Sequence, residues 1–363
     1  MPRLVWDKAG EHFYETGVDR GVLFPTVSGA YGKGVVWNGL TSVSENPSGA
    51  DSSAQYADNI KYLNLVAAEE FGATIEAFTY PDEFAVCDGS AEPVRGVRIG
   101  QQTRRPFGFT YRTLVGNDLE GTEYGYQIHI VYGATASPSS RDYNTVNDSP
   151  EAITFSWEVT TTPVEVTGYK PTATLVIDSN KVSLAALNAL EDILYGTEST
   201  DARLPMPDEV IKIINENSAI KLIINAPSGS SNELFGKSAA TLQSSIQVND
   251  GKITGKLNWV TDYTEFSDKS YEQVGNFLAL NVMTNGGNPD ITVELLGGTS
   301  PICKDAGNHN WVMRVTNPRS QSVRISAVEG RDSKTEIYSL AELEVSDAST
   351  MRASGSDFSI PLG

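Results

Sequence analysis

Any chemistry done by this chain of 363 residues would have to come from a small set of side chains. Its three histidines, His12, His129 and His309, stand far apart, and no HExxH or CxxC spacing occurs. The paired ligands that a zinc site needs are therefore absent from the sequence pattern. Cys87 and Cys303 are the only cysteines, and their separation fits a protein made in a reducing compartment without disulfides. No GxSxG elbow is accompanied by an acid and a histidine in order. The nearest approach to an acid–base pair is the adjacent carboxylates Glu69-Glu70 and Asp82-Glu83, with Glu76 between them. A glycosidase needs two carboxyls facing each other at roughly 5–10 Å, whereas neighbours on a strand point to opposite faces. These pairs read as solvated or subunit-contact charges. Gly29-Ala30-Tyr31-Gly32-Lys33-Gly34 has the glycines of a phosphate loop, but it lacks the GK[ST] ending and no helix pattern follows it. The expectation is a chain that is not an enzyme, with no catalytic, cofactor or metal site.

Charge narrows the class further. With 46 Asp and Glu against 27 Lys and Arg, the net charge is −19, which argues against wrapping nucleic acid by neutralising phosphates. It leaves room for an acidic passage through which DNA slides without sticking. The acidity is uneven, with 15 Lys and Arg against 30 Asp and Glu through Glu216 and 12 against 16 after it. Together with the length this predicts two domains, 1–216 and 217–363. No apolar run approaches the ~20 residues of a membrane span, and MPRLVWDKAGEHF has neither the basic nor the apolar part of an export signal. No membrane partner is expected, and synthesis in a reducing cytoplasm is.

The elements that would position any site are mostly strands. Ile153, Phe155, Trp157 and Val159 alternate with Thr154, Ser156, Glu158 and Thr160, the pattern of a half-buried strand. After Pro163 and Gly168 to Pro171 the chain returns through Ala173, Leu175 and Ile177, so 152–178 is read as a long hairpin with its arms paired. Its edges would need covering or pairing with another chain, and Thr154, Ser156 and Thr174 are the candidate inter-subunit strand positions. Residues 1–23 read as an arm that orders by docking. Residues 56–68 suit either a helix, through Tyr56, Ile60, Leu63 and Ala67, or two strand faces joined by a bulge, with strand favoured; strands are expected over 74–80, 105–115 and 126–132, with His129 on the polar side of the last. Ser183 is a candidate N-cap for a helix carrying Leu184, Leu187, Leu190 and Leu194, and Pro207 opens a second. Beyond residue 220 the pattern is short strands between turns, a β-sandwich, and 346–363 is weakly patterned. Trp259, Tyr263, Tyr271 and Trp311 in that region could be core aromatics or stacking platforms of a carbohydrate-binding surface protein.

SPEAITFSWEVTTTPVEVTGYKPTATLVID, YADNIKYLNL, EEFGATIEAFTYPDEF and FGFTYRTLVGND together resemble the major tail tube proteins of long-tailed bacteriophages, over much of residues ~11 to ~215. LFGKSAATLQSSIQV and GNFLALNV are similar to the extra domain that some of these proteins carry on the tube exterior. The resemblance implies an antiparallel β-barrel or sandwich with one or two flanking helices, followed by a smaller all-β sandwich domain. It also implies self-assembly into stacked hexameric rings in the virion tail, contact with other tail proteins at the tube ends, and genomic DNA passing through the lumen. Glu76, Glu158 and Glu165 are the candidate lumen-facing residues. Arg104 and Arg112 would fit such a face only if acidic neighbours paired with them.

Overall fold

The structure, a computed structural model, describes residues 4–49, 52–139, 141–145, 148, 152–226, 246–260, 275–298 and 302–344. Residues 346–363, Tyr263, Tyr271 and most of LFGKSAATLQSSIQV lie outside the described residues. The chain divides into two compact units, Met1–Asn217 and Ser218–Gly363.

The first unit contains β1 (Tyr14–Val27), β2 (Ala30–Tyr31), β3 (Val35–Trp37), β4 (Leu40–Glu45), β5 (Ser48–Gly49), β6 (Ser52–Ala57), β7 (Ile60–Val66), β8 (Glu69–Glu70) and β9 (Gly72–Ala77). After a 3-10 turn at Asp82–Val86 come β10 (Ala91–Val94), β11 (Val97–Ile99), β12 (Phe107–Asn117), β13 (Gly121–Ala136), β14 (Phe155–Thr161), β15 (Thr174–Asp178), α1 (Leu184–Tyr195) and α2 (Pro207–Glu216). The main sheet runs β2-β1-β12-β13-β14-β9-β4, with β3 on β1 and β15 on β13. It curls over itself without closing, so the unit is a sandwich and not a barrel. The arm expected over 1–23 ends at Phe13, because Tyr14 onward pairs with β12.

Two cores flank the β1–β12–β13 platform. On one face Val22, Phe24, Ile128, Ile130 and Tyr132 pack against Leu187, Leu190, Leu194, Val210 and Ile213 of the helices, the amphipathic spacing that the leucines display. Ser183 caps α1 by accepting the Ala186 N–H at 3.3 Å. On the other face Leu23, Phe107, Phe109, Tyr111 and Val131 meet Ile75, Ala77, Trp157 and Val159 of the folded-over layer. Trp37 lies at its centre with ring centroids 4.6 Å from Phe84, 5.4 Å from Phe109 and 5.5 Å from Trp157.

The expected hairpin across 152–178 is not formed. Its arms do not pair with each other: β14 lies along β9 from Phe155 to Thr160 and touches β13 only at Ala134–Ala136, while β15 pairs with β13 at Gln127–Val131. Both arms sit on the same edge of β13, one after the other, and Gly133 separates them.

The second unit contains β16 (Leu222–Asn225), β17 (Gln247–Asn249), β18 (Lys252–Lys256), β19 (Asn258–Val260), β20 (Gly275–Thr284), β21 (Asp290–Leu296), β22 (Ile302–Gly307), β23 (Asn310–Val315), β24 (Ser322–Glu329), β25 (Asp332–Ser339) and β26 (Leu343–Glu344). One sheet runs β16-β20-β23-β22 with β19 on β20, the other β17-β18-β25-β24-β21 with β26 on β18. Leu278, Leu280, Val282, Trp311 and Met313 of the first interdigitate with Val293, Leu295, Val323, Ile325 and Tyr338 of the second. This is a sandwich, and the strand expected over 252–260 is two strands that belong to different sheets.

Because Trp157 is fully buried among four other rings, Trp157→Ala should lower the unfolding free energy by about 3–5 kcal/mol, measured by chemical denaturation.

Candidate assembly surface

Asn46 at the end of β4 turns the chain away from the sheet. Its N–H donates to Gly72 O at 2.7 Å and its Nδ2 to Thr74 Oγ1 at 3.0 Å, so the departing and returning strands are tied at one root. Between them β6 and β7 form a two-stranded ladder from Ser52↔Val66 to Ala57↔Ile60, closed by Asp58-Asn59. Both turn residues have positive φ, 49° and 63°, the left-handed pair that a tight hairpin needs. Alternation places Ile60, Leu63 and Leu65 away from Tyr56 and Val66, yet Tyr56, Ile60, Tyr62, Leu63, Leu65 and Val66 are all 41–72% exposed. Among the described residues nothing covers either face of this hairpin. A two-stranded ribbon is marginal in water, and apolar side chains on both of its sides mark a surface made for contact.

The start of the chain is a second such surface. Leu4, Val5, Trp6 and Phe13 are exposed, although the segment is anchored: Asp118 accepts the N–H groups of Gly10 at 3.0 Å and His12 at 3.3 Å. The Gly10 N–H, followed by the His12 contacts, holds the Asp118 carboxyl below its ordinary range.

A third surface is polar. On the outward side of β4, β9 and β14 the rows Ser42–Glu76–Ser156 and Ser44–Thr74–Glu158 lie side by side, with Ser42 Oγ donating to Glu76 at 2.9 Å. Glu76 and Glu158, two of the three candidate lumen positions, thus share one hydroxyl-rich face. Glu165 does not join them; it is exposed in the connection between β14 and β15, next to the isolated bridge Val164↔Thr172. Of the candidate inter-subunit positions, Thr154 precedes β14, Ser156 is paired to Glu76 inside the chain, and Thr174 is paired to Val131. The geometry does not bring these three onto one open edge.

Arg104 and Arg112 are both paired. Arg112 makes a two-pronged contact with Asp19 at 2.8 and 2.6 Å, and Arg104 reaches Asp88 at 3.3 Å. Asp88 also receives Arg141.

His129 is not on a solvated face. It is buried on the second-core side of β13, stacked on Tyr111 with centroids 4.5 Å apart and planes 3° from parallel. Its Nε2 lies 2.9 Å from Thr113 Oγ1 and its Nδ1 3.6 Å from Glu45. Tyr111 donates its hydroxyl to the same carboxylate at 2.8 Å; burial first, and this bond second, raise its pKa above 10.0. Both cysteine thiols are pushed up to about 12 by burial, which favours their protonated form at neutral pH. Among the described residues no group of His, Cys, Asp and Glu is arranged to hold a metal ion. Trp311 is a core residue of the second unit, so it is no stacking platform; the side chain of Trp259 lies outside the described residues.

No known family profile matches the chain and no curated protein does. Among solved structures, one from the sheath–tube complex of an extracellular contractile injection system in its extended state matches at 13% identity. The match covers 44% of this chain and 88% of that one, with a TM-score of 0.21. At that score the likeness carries no argument about the fold.

Burial lowers the His129 pKa from its ordinary 6.5, and Glu45 and Glu15 only partly oppose it. The unfolded chain therefore takes up a proton before the folded one does, and stability falls as pH drops below 6.5 until the folded-state pKa is passed. His129→Gln should flatten this decline between pH 7 and 5, measured by urea denaturation at each pH.

Proposed function

We infer that this protein is a structural subunit that assembles with itself, a tail tube protein whose hexameric rings stack into the hollow conduit of a phage tail. The observation that carries the reading is the β6–β7 hairpin, with apolar residues exposed on both faces. Covering one such side chain contributes about 1.5–3 kcal/mol, whereas association costs on the order of 4–15 kcal/mol. One hairpin contact is thus marginal. Several per copy, closed into a ring, exceed the cost together and make assembly cooperative in concentration.

The sequence resemblance over residues ~11 to ~215 implies the ring, the tube, the tail proteins at its ends and a location in the virion. The polar face suits the wall of a DNA passage. Glu76 and Glu158 repel phosphate, Ser42, Ser44, Thr74 and Ser156 are neutral, and no basic residue occurs in these rows. A wall that bound phosphate would hold the genome by counterion release.

Negative-stain microscopy of the concentrated protein tests the reading, with six-fold rings or tubes expected and a persistent monomer that binds glycans favouring a carbohydrate-binding role instead. Leu65→Asp should abolish rings while leaving the thermal unfolding temperature within about 2 °C of the parent, because an exposed substitution changes stability by less than about 0.5 kcal/mol. Unchanged ring formation by this variant would remove the hairpin from the assembly.

A further inference from the structure

A second, smaller hairpin stands out by its charge. From Ala91 to Arg105 the chain carries Arg95, Arg98, Arg104 and Arg105 against Glu92 alone, inside a unit that counts 15 basic against 30 acidic residues. Within it β10 and β11 are joined through Arg95-Gly96, with Gly96 taking the left-handed turn position at φ 86°. The two sides of this ribbon differ. On one, Arg98 ties β11 to the body: it donates to Tyr80 Oη at 3.1 Å, pairs with Asp82, and lies 5.7 Å over the Tyr80 ring. On the other, Val94, Val97 and Ile99 are 47–67% exposed. Val94 opposes Val97 and Ile99 is two residues on, so the three share one face. Arg95, at the turn, has no carboxylate partner among the described residues. The hairpin is held from behind and presents an apolar strip tipped by one unpaired cation.

Its complement is on the same chain. Leu65 and Val66 end β7 exposed, and Glu69 and Glu70 follow in β8, adjacent, exposed and without a basic partner among the described residues. We propose that the β10–β11 hairpin of one copy docks on the β7–β8 stretch of the next copy. Val94, Val97 and Ile99 cover Leu65 and Leu63 on one side of the β6–β7 ribbon, and Arg95 reaches the edge of the Glu69-Glu70 pair that follows it. The two surfaces differ, so the contact is heterologous and propagates head to tail, which closes into a ring when the rotation allows it. This rests on the self-assembly reading and assigns that assembly its chemistry, an apolar seam with a directional charge pair.

Sedimentation velocity of the full chain over a concentration series tests it. Arg95→Glu, and separately Glu69→Lys with Glu70→Lys, should each raise the concentration for half-assembly about tenfold or more, as expected for a close interfacial charge pair set like against like. Combining all three should return it to within about threefold of the parent, because the pair is reversed and not lost. Lys170→Glu, an equal charge change at an exposed residue of the β14–β15 connection, should leave it unchanged. Assembly of Arg95→Glu at the parent's concentration, or no recovery in the combination, overturns the contact alone. A parent chain that stays monomeric at every concentration overturns the self-assembly reading and the contact with it.

Discussion

Gly133 is the constraint on which the first unit depends. A Cβ there would lie 2.2 Å from Thr162 O, and its φ is +58°, so only glycine fits this close approach. Its carbonyl accepts the Thr162 N–H at 3.0 Å and its own N–H donates to Tyr31 Oη at 2.8 Å. The β12–β13 register slips here, between Phe109↔Val131 and Phe107↔Ala134, as a bulge requires. The slip exchanges the faces of β13: His129 and Val131 point to the second core before it, Ala134 and Ala136 after it. It also lets one strand edge serve β15 first and β14 second. That handover turns the sheet over onto itself and encloses Trp157.

Much of this was legible from residue order, and the failures have physical causes. Alternation located β12 to β15, and leucine spacing with the Ser183 cap located α1, because those signals are local. Pairing is not local. The arms of 152–178 look like one hairpin, yet the decision was made by a lone glycine in VYGATA, some twenty residues earlier in the chain, the sort of strand glycine that marks a bulge. His129 was misplaced because a strand with both faces covered has no polar side to read; its neighbour in space, Tyr111, comes from the preceding strand. In the second unit Leu257 is buried between two short strands of different sheets, and one apolar run concealed the break.

The candidate surface was only half legible. The pattern of residues 56–68 suited a helix as well as the strands that form, and nothing in YADNIKYLNL tells whether its leucines and tyrosines face a core or solvent. That depends on whether a second layer passes over them, and none does among the described residues. The polar rows of β4, β9 and β14 join three segments far apart in sequence, so two of three chosen glutamates met on one face and the third, beside an isolated bridge, did not.

The thiols carry a consequence for handling and for lifetime. Burial pushes both thiols up to about 12, so they stay protonated at neutral pH. Cys87 is wholly enclosed in the core of the first unit, so while that unit stays folded its sulfur serves as a small apolar side chain shielded from oxidants in the surrounding solution.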